Sequence, residues 1–369
     1  MIASAAGHSA PRTTRYSSDA YAYSLPGVVT DIPLGGRANV RTLRAVEPPR
    51  ETPASDHERT LVITDAACDL PAEWMAQNGV VVLPIRIHVD DWHLVDSHDE
   101  FDTMEFFRKD IATAGIRAQS EPLTPVETRD FVQSQLGKHV DFVLEIAIAA
   151  SRSKIYMNSL AAAQNLMLMH GRVRRNMGVR TPFKMWVVDS ETVFAGQGVL
   201  VAETVRQLKH GCPVPQLVNH IDTLRHHVHT LVVPKDLFYI YSRARTKGDN
   251  SLNWFTYNVG KMFDVKAVVH AHAGQTRPVM KVRGFDDAVS RVMEIACTKV
   301  REGLLTPTVC VSYAGDTQEV TTWPSYLALK NLCARRGVEL LLSTMSMTGG
   351  LNVGAGALSI AFATDKLDL

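Results

Sequence analysis

Net charge is nearly absent from this chain: 39 lysines and arginines stand against 38 acidic residues, leaving a formal +1. Bulk electrostatics therefore supplies no pull toward nucleic acid or an anionic membrane surface. No apolar run approaches the roughly 20 residues that a bilayer span requires, so no membrane span is expected. Cysteine is scarce, and the five (Cys68, Cys212, Cys297, Cys310, Cys333) are odd in number, widely spaced and never C-x-x-C. That fits buried thiols in a reducing, cytoplasmic compartment better than a disulfide framework. There is no G-x-x-x-x-G-K-[ST] loop, no G-x-S-x-G elbow and no H-E-x-x-H pair, which removes the commonest phosphate, serine-hydrolase and zinc-protease signatures. Lysine is missing from the first 58 residues, which are rich in Ser, Pro, Ala and Arg. Without helical or strand periodicity, residues 1–58 read as a disordered tail. Six acidic residues there argue against an organelle-targeting peptide, and no apolar core suggests secretion.

What is present begins at "RTLVITDAACDLPAEWMAQNGVVVLPIRIHVD". Leu61 to Thr64 reads as a short apolar strand ending at Asp65, with a helix from Leu70 or Pro71 capped by Asp69. "VVVLPIRIHV" reads as a second strand, followed by an acidic loop and a helix around "TMEFFRKDIATAG". Thr124, Pro125 and Glu127 carry the signature of a capped helix start. "VDFVLEIAIA" is nearly continuously apolar, as in a parallel strand buried on both faces. A long helix, the strand "FKMWVVDS" and the helix "ETVFAGQGVLVAETVRQLKHG" follow. Alternating strands and helices predict an α/β fold, with an N-terminal doubly wound, mostly parallel sheet over residues 59–228 and ligands at its C-terminal strand ends. From 229 to 366, strands flanking long helices suit a C-terminal α+β domain.

Asp65, Ser120, Ser151, Ser153, Asp189 and Ser190 cluster at the predicted strand ends. Asp65 and Asp189 are expected to fix turns, and Asp69 and Ser190 to cap helices. The histidines His220, His226, His227, His229, His270 and His272 show no clean zinc-ligand spacing, so they are assigned to solvated faces with no metal. Arg243, Arg245 and Lys247, then Arg277, Lys281 and Arg283, form basic stretches that suit either a partner surface or plain solvation.

Six motifs in order carry a resemblance. Thr64-Asp65-Ala66-Ala67-Cys68-Asp69-Leu70 matches a strand followed by D-S-x-x-D-L, with Ala66 for serine. Gln119-Ser120-Glu121-Pro122-Leu123 matches T-S-Q-P-S, and Ser153 to Ser159 matches S-G-T-Y-x-S-A. Val187-Val188-Asp189-Ser190 with Gly196 and Gly198 is similar to V-I-D-S followed by G-x-G, and Pro278 to Gly284 to P-x-x-K-x-R-G. Finally, Gly350-Leu351-Asn352-Val353-Gly354-Ala355-Gly356-Ala357-Leu358 is similar to G-x-H-x-G-P-G-A-L. Over residues 60 to 363 the chain resembles the DegV family of bacterial fatty-acid-binding proteins.

The resemblance implies a two-domain, non-enzymatic carrier that buries one long-chain fatty acid or acyl lipid and needs no cofactor. In the family, a separate fatty acid kinase receives the lipid, and Arg277, Lys281 and Arg283 correspond to a surface that meets it. It places the ligand head at Ser153, Gln119 and Asn352, with Ser120, Asp65, Gly354 and Gly356 around it. Gln119 and Asn352 stand where the family has Thr and His. Neither titrates, so the sequence allows a protonated acid or a neutral polar head. The chain would contribute ~0.8 kcal/mol per buried CH₂, which favours a lipid over a small metabolite. A diverged regulatory protein without ligand, or a phosphate or acyl hydrolase using Asp65, Ser153 or the glycine-rich terminus, are the competing expectations.

Overall fold

The computed structural model describes residues 59–369 apart from 91, 112–117, 138, 180, 238, 241–242 and 244–264. The expected tail, Arg245 and Lys247 lie outside the described residues. Strand β1 (Thr60–Asp65), helix α1 (Ala72–Gln77) and strand β2 (Val80–Leu83) open the fold. Pro84, with no N–H to give a ladder, ends β2, and the chain leaves that sheet. What read as one strand is therefore two. Strand β3 (Ile85–Val89) pairs antiparallel with β4 (Trp92–Asp96) and β5 (Ala118–Pro122) in a separate three-stranded sheet. Neither β4 nor β5 was legible, since short half-exposed strands without apolar alternation carry little signal.

Between β4 and β5 lies helix α2 (Glu100–Arg108), whose first turn donates from Asp102 N to the Asp99 carboxylate at 2.9 Å. Helix α3 (Pro125–Gln135) has the predicted capping box of Thr124 and Glu127. Strand β6 (Phe142–Ala147), helix α4 (Ile155–Asn176), strand β7 (Lys184–Asp189) and helix α5 (Ala195–Lys209) then alternate as expected. Helix α6 (Val214–Leu224) completes this half. Strands β2-β1-β6-β7 form an all-parallel sheet. Residues of α4 join the apolar cluster on one of its faces, those of α5 and α6 the cluster on the other. Burial on both faces explains the unbroken apolar run of β6.

The second half of the fold starts with a strand at Val228. Strands β8 (Val228–Val233), β9 (Val265–His272), β10 (Gln275–Arg283), β11 (Thr308–Tyr313), β12 (Glu339–Thr344) and β13 (Leu358–Ala363) build one mixed sheet. Its order is β10-β9-β8-β13-β11-β12, antiparallel except for β11 with β12. Helices α7 (Phe285–Glu302), α8 (Thr317–Thr322), α9 (Pro324–Arg336) and α10 (Met347–Val353) are interleaved. Residues of α7 and α9 fill the outer cluster with Leu231, Val268 and Phe362. Twelve of the fifteen residues of α5 are buried, because that helix packs against strands of both large sheets. The two halves thus share a core helix within one compact unit. Among the described residues no helix is long and apolar enough to cross a membrane.

Candidate functional site

Strands β1 and β6 end side by side, and the chain beyond each end forms the wall of a cavity of about 1150 Å³. Asp65 sets that wall without lining it. One of its carboxylate oxygens accepts from Ala67 N (3.1 Å), the other from Ile148 N (2.7 Å) and from Gln197 Nε2 (2.9 Å). Ala67 and Ile148 face the cavity, so Asp65 is a turn-fixing residue, as expected, and not a ligand contact. Burial pushes its carboxyl up to about 6, against those three hydrogen bonds. Asp189 does the same work at β7, accepting from Ala150 N and Glu191 N, each at 3.0 Å.

Apolar side chains from the other two sheets complete the interior: Ile85 of β3 in the three-stranded sheet, and Val232 of β8 with Val269 and Ala271 of β9 in the six-stranded one. The polar part is built by Ser151 to Lys154, Gln119 and Ser120, and Thr348 and Asn352. Ser153 precedes α4, and its Oγ accepts from Ile155 N at 3.3 Å, which ties it to the first turn of a 22-residue helix. Such a helix start favours an anion. In β5 alternate residues are exposed: Gln119 and Glu121 lie outward, Ala118, Ser120 and Pro122 inward. Ser120 therefore stands toward the interior, and Gln119 lines only the exposed margin. Asn352 faces the cavity, with its Nδ2 donating to Thr348 O at 2.7 Å.

The glycine-rich segment has another purpose than close approach to a ligand. Gly354 (φ +89°) and Gly356 (φ +74°) do not line the cavity; they turn the chain out of α10 where a Cβ would meet Tyr239 and Lys235. A Cβ on Gly350 would enter the Phe107 ring. The start of α10 is filled by the protein's own acids. Asp69 accepts from Ser346 N (3.0 Å) and Ser312 Oγ (2.6 Å), and Asp96 accepts from Thr348 N (2.7 Å). Asp69 is thus no helix cap, since α1 starts after Pro71 without a side-chain bond; it binds the two halves together. Burial raises its carboxyl to about 6. Ser190 is also no cap: its hydroxyl closes a turn with Thr192.

Three of the histidines are not on a solvated helix face. His229 of β8 and His270 and His272 of β9 meet on one side of adjacent strands, their nearest ring nitrogens all within 4.8 Å of one another. His229 Nδ1 and His270 Nε2 are 3.0 Å apart. The three rings are stacked within 9° of parallel. Three imidazole nitrogens this close together form a group that could hold a metal ion, which the spacing of the histidines along the chain did not reveal. Burial, with the neighbouring histidines, pushes His229 down to about 3; burial, then His272 and Arg277, takes His270 down to about 4. Both are neutral at physiological pH. His220 and His226 instead reach Glu203 (2.9 Å) and Glu191 (2.9 Å).

Arg277, Lys281 and Arg283 are exposed on β10, at the edge of the six-stranded sheet. Sequence reasoning treated Arg243 only as part of a basic stretch. It is buried, 7% exposed, and lines the cavity.

A family model described as "Uncharacterised protein, DegV family" matches residues 59–365. A DegV domain-containing protein of Xanthomonas campestris pv. campestris is 37% identical over 304 residues, covering 82% of this chain and 97% of the relative. Among solved structures, a DegV lipid-binding protein from Thermotoga maritima superposes with a TM-score of 0.65 at 17% identity, over 84% of this chain and 100% of that one. The fatty-acid-binding DegV of Bacillus subtilis gives 0.62 at 18% identity, over 83% and 99%. At that identity the superpositions establish the fold.

Proposed function

The chain belongs to the DegV family, and on that premise we propose that it binds a long-chain fatty acid or related acyl lipid and carries it in the cytoplasm without chemically changing it. The observation that carries the proposal is the cavity of about 1150 Å³ with aliphatic walls from two sheets and a polar group of side chains around Ser153, Ser120, Gln119 and Asn352. Pockets for drug-sized ligands run to roughly 1,000 Å³, so an acyl chain fits. The Thermotoga maritima and Bacillus subtilis relatives are described as lipid-binding and fatty-acid-binding, which supports the same ligand class here. Ser153 Oγ is engaged by a backbone amide and not by a base, which favours ligand contact over nucleophilic catalysis. The exposed cations Arg277, Lys281 and Arg283 on an edge strand suit a protein partner such as a fatty acid kinase.

Native mass spectrometry of the purified chain, followed by solvent extraction, tests this. One acyl lipid per chain is expected. Val232→Trp should fill the interior and yield folded protein without lipid, at a cost of about 1–3 kcal/mol for overpacking. Wild-type protein that emerges empty, and stays empty after incubation with hexadecanoate, would overturn the assignment.

A further inference from the structure

Arginine 243 is an unusual occupant of an apolar interior. It is 7% exposed, and its guanidinium has one described hydrogen bond, from Nη1 to Ala118 O at 2.6 Å. Nε and Nη2 are buried and have no hydrogen-bond partner. A guanidinium keeps its charge under all physiological conditions, so the cation cannot escape the cost of burial by losing a proton. No carboxylate on the cavity lining compensates it. Glu121, the single acidic residue of that lining, is taken by His88 Nε2 (2.6 Å) and Arg86 Nη2 (3.4 Å) and lies on the outward side of β5. A buried cation with unmet donors and no paired carboxylate among the described residues implies a missing anion.

Its neighbours say where that anion sits. Ala118, which holds Nη1, is followed by Gln119 and Ser120, both on the cavity lining. On another side Arg243 lies near Tyr239: burial pushes that phenol up to about 12, and the Arg243 charge partly opposes the rise; Tyr239 Oη donates to Leu351 O at 2.7 Å, beside Asn352. Arg243 therefore stands between the two segments that carry the proposed head-group residues. The unpartnered pair, Nε and one Nη, has the fork geometry that matches two carboxylate oxygens.

Resting on the fatty-acid reading above, we propose that Arg243 is the counter-ion of the bound ligand's carboxylate, so that this protein selects ionised fatty acids over acyl lipids with a neutral head. It supplies the charge that Gln119 and Asn352 cannot, and it resolves the alternative between an ionised and a neutral head that the sequence leaves open. The empty protein is the state that suffers, because there the cation is desolvated without an anion.

The test uses the full chain stripped of lipid, with hexadecanoate and hexadecan-1-ol as probes, read by native mass spectrometry and by the rise in Tm on binding. Wild type is expected to prefer hexadecanoate at both pH 6.5 and pH 8.5. Arg243→Gln should lose about ten- to a hundredfold in hexadecanoate affinity while holding hexadecan-1-ol within about threefold, as expected for a charged hydrogen bond. Arg243→Lys should fall between them. The empty Arg243→Gln protein should melt no lower than the empty wild type, which a merely structural arginine would not allow. Equal hexadecanoate affinity in wild type and Arg243→Gln, or an equal loss of both ligands, would overturn the counter-ion while leaving lipid binding intact. Failure of the wild type to take up either probe would instead overturn the lipid reading and the counter-ion together.

Discussion

Glu145→Gln is expected to flatten the alkaline loss of stability of this protein and leave it more stable than wild type above pH 8. Glu145 lies on β6, fully buried, with Oε1 accepting from Ser159 Oγ at 2.6 Å and Oε2 without a partner. Burial pushes its carboxyl up to about 8, opposed by the Ser159 bond and reinforced by the charge of Asp65. Below the ordinary value of 4.5 both folded and unfolded chains hold the proton, and the group is neutral in the balance. Between 4.5 and about 8 the unfolded chain releases it while the folded chain keeps it, so stability falls as pH rises. The slope is about 1.4 kcal/mol per pH unit, giving a ceiling of about 5 kcal/mol, with a few kcal/mol expected in practice. Glutamine keeps the acceptor for Ser159 and removes the titration. Urea unfolding at pH 5, 7 and 8.5 checks this through the difference in slope, which a constant offset from the new amide does not alter. Parallel curves for the two proteins would show that Glu145 titrates normally.

The second large effect falls on the shared helix. A Cβ on Gly196 would lie inside van der Waals contact with both Thr230 Oγ1 and Thr192 Oγ1, which hydrogen-bond each other at 2.8 Å. Helix α5 packs against strands of both large sheets and has no free side toward which to retreat. Gly196→Ala is expected to cost about 2–4 kcal/mol, combining overpacking with loss of the buried hydroxyl pair. Gly137, where a Cβ meets nothing within 4 Å, provides the control, and Gly137→Ala should stay close to wild type. Thermal and urea unfolding read both. A Gly196→Ala protein within about 0.5 kcal/mol of wild type would mean that α5 can shift, contrary to the packing described.

Legibility followed the range of the interactions. Strands β1, β6 and β7 and the start of α3 were readable because their signals are local: apolar runs, and a capping box in which Glu127 accepts from Thr124 N at 2.8 Å and Thr124 Oγ1 from Glu127 N at 3.3 Å. The change of sheet at Pro84 was written in the sequence as a proline inside an apolar run and was passed over. Asp69 was misassigned because it sits where a cap belongs, whereas its partners Ser312 and Ser346 lie 243 and 277 residues away. The histidine stack needs the register of β8 with β9, in which Thr230 faces Ala271; periodicity along one strand does not supply that. Ser153, Gln119 and Asn352 were singled out through their motifs, and all three line the cavity. Arg243 was passed over because burial of a cation is a tertiary fact.

Strand β13 lies at the centre of the six-stranded sheet, between β8 and β11, yet among the described residues it comes after every other strand in chain order. Helix α10, which brings Thr348 and Asn352 to the cavity, comes just before it. Until β13 docks, β8 and β11 each present an unpaired edge. The sheet that brings Val232, Val269 and Ala271 to the cavity wall therefore cannot be completed before this strand has paired.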